Sequence, residues 1–297
     1  MRIGRRNPDK AAASASTDTA ETTHTTEAAI TENTKDAKDT KHAANSANSA
    51  SSAAPPADGI PDLPPETAER QRRVAELLDH ELHESAEPEM RALLSDYERL
   101  LGHADPITIS CYDALGHTLY QMGLIPEAEA MHREAYDRGT RRDGPDHPDT
   151  LAYAHNLGAA LVMGDEWEEG LALLEDTLER RERVLGPDHG DALTTAALLG
   201  AVLFKHGEQQ RGFELLDRAY ARYVATFGAD DLETLAVGGN LAAAVHTLGR
   251  KDDAVALLID ILKHYARLFG PNDPQTLHIQ QRLAAMGVVV TLNFRRG

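Results

Sequence analysis

The residues in this sequence that could support chemistry are histidines placed among acidic side chains. His147 lies in the run Asp-His-Pro-Asp and His189 in the run Asp-His-Gly-Asp, and imidazole and carboxylate are both metal ligands. The equivalent stretches elsewhere in the chain carry another residue in place of the histidine, and no denser ligand cluster supports these two. We therefore predict that they belong to helix junctions and that the protein holds no metal.

Three further histidines, His117, His155 and His246, lie on predicted first helices. If they share one surface, binding there would depend on pH near neutrality, although ordinary surface histidines would give the same pattern. The single cysteine, Cys111, lacks the signature of an activated nucleophile. The glycines match no phosphate-binding loop. We therefore predict a noncatalytic protein without a cofactor.

Charge and hydropathy exclude several classes of function. The chain has a net charge of −18 over 297 residues, and residues 1–57 contribute none of it because they contain seven basic and seven acidic side chains. The remaining residues, 58–297, are therefore too acidic for nonspecific binding to nucleic acid, but their charge is compatible with a basic partner. No apolar run in the sequence is long enough to span a membrane. The basic N-terminus is not followed by the apolar stretch of a secretory signal. A cytoplasmic location is therefore expected.

A repeated stretch positions these residues. Gly144-Pro145-Asp146-His147-Pro148-Asp149-Thr150-Leu151 recurs every 42 residues, with copies that begin at Gly102, Gly186, Gly228 and Gly270. A fixed period of this size indicates a repeat architecture. Within each copy the apolar spacing predicts two helices. We expect Asp149 or Thr150 to cap the first helix of the second copy.

Small residues also recur with this period. One column in the first helices contains Gly116, Gly158, Gly200, Ala242 and Ala284, and one in the second helices contains Ala128, Gly170, Gly212 and Ala254. A glycine inside a helix costs about 1 kcal/mol relative to alanine. The columns therefore predict that the two helices of a repeat approach each other closely there.

The chain divides into four predicted segments. Residues 1–57 are low in large apolar side chains and are predicted to be disordered. Residues 58–101 form a degenerate capping helix pair, whose second helix has Pro88 in its first turn, and residues 102–286 form the repeats. In residues 287–297, the apolar run Val288–Leu292 either covers the end of the stack or forms a strand or anchor for another chain.

The helix–turn–helix units with Asn156-Leu157-Gly158 and Asn240-Leu241-Ala242 resemble the tetratricopeptide repeat. The 42-residue period resembles the longer variety found in kinesin light chains and in many bacterial proteins. The resemblance covers about residues 102–286 and implies an all-α, right-handed α-solenoid whose first helices line a concave groove. In the family, that groove commonly binds a peptide.

The resemblance implies a set of groove residues on the first helices: Asp113, His117, Tyr120, His155, Asn156, Phe204, Asn240, His246 and Gln281. Asparagine can bond a peptide backbone through its donor and its acceptor, whereas Tyr120 and Phe204 would supply apolar pockets. The positions in this set contain no Lys or Arg, which argues against a clamp for a C-terminal carboxylate.

Two hypotheses follow for function. The first is a protein–protein interaction scaffold that binds a peptide or protein segment in the groove. The second is a sensor that changes its superhelical compaction when a signalling peptide binds. An accessory subunit of an enzyme is a weaker alternative, because no constellation of residues supports catalysis. The sequence does not name the partner.

Overall fold

The structure is a computed structural model in which residues 2–5 and 63–291 are described. Those ranges contain eleven helices and two short strands, in an all-α architecture that confirms the predicted fold class. In chain order the elements are β1 (Arg2–Arg5), α1 (Pro65–Asp79), α2 (His83–Leu100), α3 (Pro106–Gln121), α4 (Ile125–Asp143), α5 (Pro148–Met163), α6 (Trp167–Val184), α7 (Gly190–Lys205), α8 (Gln209–Phe227), α9 (Leu232–Thr247), α10 (Lys251–Leu268), α11 (Pro274–Ala285) and β2 (Val288–Thr291).

The chain forms two compact units whose boundary lies within α7. The N-terminal unit contains the described residues 63–202, and the C-terminal unit contains residues 203–291 together with β1. In each unit, helices that are consecutive in sequence pack as antiparallel hairpins around an apolar core. No helix in residues 63–291 is long and apolar enough to cross a membrane.

Each first helix begins at a polar residue that follows the linker glycine. His147 is the N-cap of α5, because Pro148 occupies the first helical position and the imidazole Nδ1 accepts from the amide of Asp149 at 3.3 Å. The prediction of a cap at Asp149 or Thr150 was therefore wrong. Asp105, Asp231 and Asp273 cap α3, α9 and α11 in the same way. Gly144, with φ of +89°, ends the preceding helix in a conformation that disfavours side chains.

The close approach predicted from the small-residue columns is confirmed. A Cβ on Gly158 would lie 2.8 Å from Cγ of Leu174, and one on Gly170 would lie 2.9 Å from the backbone nitrogen of Val162. Both distances are shorter than a carbon side chain tolerates. These glycines therefore let α5 and α6 pack backbone against backbone.

The structure departs from the sequence predictions near both ends. Helix α2 begins at His83, so Pro88 lies inside it and not in its first turn. Arg2–Arg5, within the segment predicted to be disordered, forms β1 and pairs with β2. The rest of that predicted segment lies outside the described residues. At the other end, Val288 and Val290 pack against the C-terminal core.

Candidate functional site

A buried polar cluster joins the first two repeats on helices α3, α4 and α5. Its centre is Asp113, whose side chain has no exposed surface. Nδ1 of His132 lies 2.7 Å from Oδ1 of this carboxylate, and Nδ2 of Asn156 donates to both carboxylate oxygens at 3.1 and 3.0 Å. We call these three residues the Asp113 cluster. It holds one carboxylate away from water with donors from two neighbouring helices.

The repeat explains why His132 can reach this carboxylate. His132 occupies the position that Leu174, Leu216 and Leu258 occupy in the other second helices. Its ring lies over Gly116, where a Cβ would come within 2.8 Å of the imidazole. A polar side chain has therefore replaced a core leucine at a point where the helices nearly touch, and Asp113 supplies its partner.

A second buried contact lies one repeat further on. Nδ1 of His155 is 3.2 Å from Oγ1 of Thr195, and this hydroxyl accepts from the guanidinium of Arg181 at 2.8 Å. The guanidinium also donates to the backbone oxygen of Asp191 at 2.8 Å. Burial, reinforced by Arg181 and His132, lowers the pKa of His155 to about 3. His155 is therefore neutral at physiological pH.

His117 and Tyr120 lie on α3, four and seven residues after Asp113, and both are partly exposed. Nε2 of His117 is 3.2 Å from Nε2 of Gln121. Burial, together with the neighbouring His132 and His83, outweighs the attraction of Asp113 and lowers the pKa of His117 to about 4. Burial also raises the pKa of Tyr120. We use the name α3–α5 face for His117 and Tyr120 on α3 together with Asn156 on α5.

The other predicted groove residues belong to the C-terminal unit. Phe204 is 4% exposed and forms part of the core there, so it presents no open apolar pocket. Asn240 is partly buried on α9, and His246, in the last turn of α9, is exposed, as is Gln281 on α11. In this unit Arg282 donates to the backbone oxygen of Gly239 at 3.1 Å.

Arg282 and Asn156 occupy equivalent positions in their repeats, and each reaches back 43 residues to a first helix. In these two repeats, the side chain at this position therefore links one first helix to the first helix of the preceding repeat.

The sequence analysis assigned no part in a site to His132, Thr195 or Arg181. A signal was present. His132 interrupts a column of leucines, and Arg181 interrupts a column that contains Tyr97, Tyr223 and Tyr265. A polar residue in an otherwise apolar or aromatic column requires a buried partner.

The described residues do not combine into a recognisable metal or nucleophile site. In residues 63–291, no group of three or more His, Cys, Asp or Glu side chains is placed to hold a metal ion. Cys111 is buried, and burial raises the pKa of its thiol to about 12, so it is protonated at neutral pH. His147 and His189 instead cap helices through Nδ1.

Helical hairpins that repeat with a constant length and stack on one another define an α-solenoid repeat protein. Models of the tetratricopeptide repeat match residues 115–169, 150–191, 192–233 and 234–275, which together are more than half of the sequence. The chain belongs to the tetratricopeptide repeat family. Proteins of this family generally bind protein or peptide partners and are generally noncatalytic.

Solved structures with the same fold include proteins related to kinesin light chains. Repeats of a Podospora anserina protein described as a kinesin light chain superpose with a TM-score of 0.58 at 19% identity, covering 68% of this chain and 95% of that one. BtubC (BKLC) from P. vanneervenii has a TM-score of 0.55 at 16% identity, covering 94% of this chain and 97% of that one. No curated protein matches the sequence. At these identities the likeness extends to the fold alone.

Proposed function

We propose that the protein is a noncatalytic scaffold that binds an extended peptide segment on its first helices, with the α3–α5 face as the principal contact surface. The observation that carries the proposal is the Asp113 cluster. The two bonds from Asn156 to Asp113 fix the orientation of the carboxamide before a ligand arrives. A side chain held in this way loses little conformational entropy on binding.

The partly exposed side chains of the α3–α5 face suit peptide recognition. Tyr120 offers an apolar ring with a hydroxyl, and the neutral imidazole of His117 offers one donor and one acceptor. Asp113 is fully buried, and we therefore assign it to positioning Asn156 and not to direct contact. His246 and Gln281 are exposed and stay predicted contacts for the C-terminal unit, whereas Phe204 supports the core.

The net charge of −18 favours a segment with basic side chains, which long-range attraction would bring to the surface faster.

The experiment is a selection of random peptides, displayed on phage, against the full chain. Peptides that are selected are then measured against Tyr120→Ala and His117→Ala by fluorescence anisotropy. We expect the Tyr120→Ala variant to bind at least about 10-fold more weakly, as for aromatic residues at the centre of an interface. The control is Arg141→Ala, which removes a large exposed side chain from α4.

A third variant separates recognition from folding. Asp113→Ala, His132→Leu and Asn156→Leu together replace the Asp113 cluster by residue types that other repeats carry at these positions. We expect this variant to retain wild-type helicity and to lose peptide binding. Selected peptides that bind all the variants as they bind the wild type would place the binding surface elsewhere. Failure to select any peptide from a diverse library would contradict the proposal.

A further inference from the structure

Helix α11 lacks a neighbour that other first helices have. Each of α3, α5 and α9 packs between the second helix that precedes it in sequence and the second helix that follows it. Helix α11 packs against α10, and the chain then continues into β2 and not into a second helix. Within residues 63–291, the side of α11 that corresponds to the side of α9 covered by α10 is therefore without a helix of its own repeat.

Equivalent side chains differ in exposure for this reason. Leu277 of α11 is 41% exposed, whereas the leucine or isoleucine at its position in α3, α5, α7 and α9 is at most 2% exposed. Ala284 is exposed as well, although Ala242 at the same position of α9 has no exposed surface. Leu277 and Ala284 are about two helical turns apart, so they lie on one face of α11.

The other repeats define what covers this face. Ala242 of α9 and Leu258 of α10 belong to the same core cluster, and neither is more than 1% exposed. In the second repeat the equivalent leucine, Leu174, lies directly over the small residue of the first helix, because a Cβ on Gly158 would be 2.8 Å from its Cγ. A leucine from a second helix is therefore the side chain that fits against Ala284.

We propose that the surface formed by Leu277 and Ala284, which we call the α11 end face, binds an amphipathic helix of a partner protein in the position of a second helix. That helix carries a small residue, a leucine four residues later and further aliphatic side chains on the same face, as α10 does with Ala254, Leu258, Ile261 and Leu262. Docking of this kind is a recurrent mode of peptide recognition. The inference is independent of the proposed peptide function, which concerns α3 and α5.

A second copy of this chain fits the α11 end face less well. Leu277 is the one large apolar side chain of α11 that is exposed. Two end faces in contact would therefore bury far less apolar area than a stable dimer needs. A helix with the side chains of α10 instead supplies the leucine and isoleucine that the face lacks.

The experiment uses a fluorescent synthetic peptide with the sequence of α10, Lys251–Leu268, as the probe. Fluorescence anisotropy measures its affinity for the full chain. We expect Leu277→Glu to bind the peptide at least about 10-fold more weakly than the wild type does. The control is Ala285→Glu, because the first helices leave this position partly exposed at Ala159, Ala201 and Ala243. Circular dichroism checks that both variants retain their helices.

A change of size separates specific docking from attraction to an apolar surface. Ala284→Leu adds apolar area but occupies the space that the leucine of the peptide needs. We expect this variant to bind the peptide about 10-fold more weakly, and a peptide with Leu258→Ala to recover part of the affinity for it.

Three outcomes would overturn the proposal. The first is a wild-type chain that binds the peptide no better than Leu277→Glu does. The second is tighter binding of the peptide by Ala284→Leu. The third is a dimer of the free chain, seen by sedimentation velocity, that Leu277→Glu dissociates, because a second copy would then occupy the α11 end face.

Discussion

Replacing His132 by leucine should destabilise the N-terminal unit, although leucine is the residue that the later second helices carry at this position. The change is sterically mild, because Leu174 lies against Gly158 as closely as His132 lies against Gly116. What is lost is the 2.7 Å contact with the fully buried carboxylate of Asp113. The variant therefore tests electrostatics separately from packing.

The size of the effect follows from the partners that Asp113 retains. A hydrogen bond to a buried carboxylate is worth about 3 kcal/mol when its loss leaves the acceptor in place. The added apolar burial of leucine returns about 1 kcal/mol. Since Asn156 still donates to both carboxylate oxygens, we expect the free energy of unfolding to fall by about 2 kcal/mol and not by the full cost of an unpaired buried charge.

The assay is urea denaturation followed by far-UV circular dichroism, with hydrogen exchange to localise the loss to α3–α5. The companion is the triple variant Asp113→Ala, His132→Leu and Asn156→Leu, which removes the carboxylate together with its donors. Replacing a whole buried polar cluster by apolar residues is often neutral. We expect its stability to lie within about 1 kcal/mol of the wild type.

Two outcomes would refute this reasoning. If His132→Leu is as stable as the wild type, the contact between His132 and Asp113 contributes nothing to folding. If the triple variant is destabilised as much as the single one, the loss comes from packing and not from the unpaired carboxylate.

Two other predictions concern pH and packing. Burial holds the pKa of His117 at about 4 and that of His155 at about 3, so the unfolded chain binds their protons first as pH falls below about 6.5. The free energy of unfolding should therefore be lower at pH ~5 than at neutral pH by up to about 2 kcal/mol per histidine. His155→Ala should flatten this dependence of the unfolding free energy on pH. A variant with the same pH dependence as the wild type would contradict the burial of His155. Gly158→Ala should lower the free energy of unfolding, measured by urea denaturation, by about 1–3 kcal/mol because the added Cβ would meet Leu174. The control Gly164→Ala, whose added Cβ has no contact under 3.6 Å, should be tolerated. Equal losses of stability in the two variants would refute this packing argument.

The fold could be predicted from the sequence because its strongest signals repeat. The linker that begins at Gly144 and the column that contains Gly158 each recur at one spacing, so that several copies support one conclusion. Boundaries were less predictable. Pro148 is compatible with any position in the first turn, and only the geometry shows that the residue before it, His147, is the cap.

The candidate site could be predicted only in part. The sequence identified Asp113, His155 and Asn156 by their position on the first helices but not their burial. The burial of these three side chains depends on which residues of the neighbouring helices pack against them. The partner of Asp113 comes from α4, 19 residues away, through a histidine at a position that the repeat reserves for leucine. A periodic pattern identifies the residues that the repeats have in common. The Asp113 cluster consists of residues that differ from one repeat to the next, so the pattern does not predict it.

The link between Asp113 and Asn156 also restricts how the array can change in length. Apolar contacts between neighbouring repeats survive duplication or deletion of one 42-residue unit, because the next copy presents similar side chains. An extra unit inserted between these two repeats would instead separate the buried carboxylate of Asp113 from its donor Asn156. The first two repeats therefore tolerate an inserted unit less well than two repeats that share only apolar contacts.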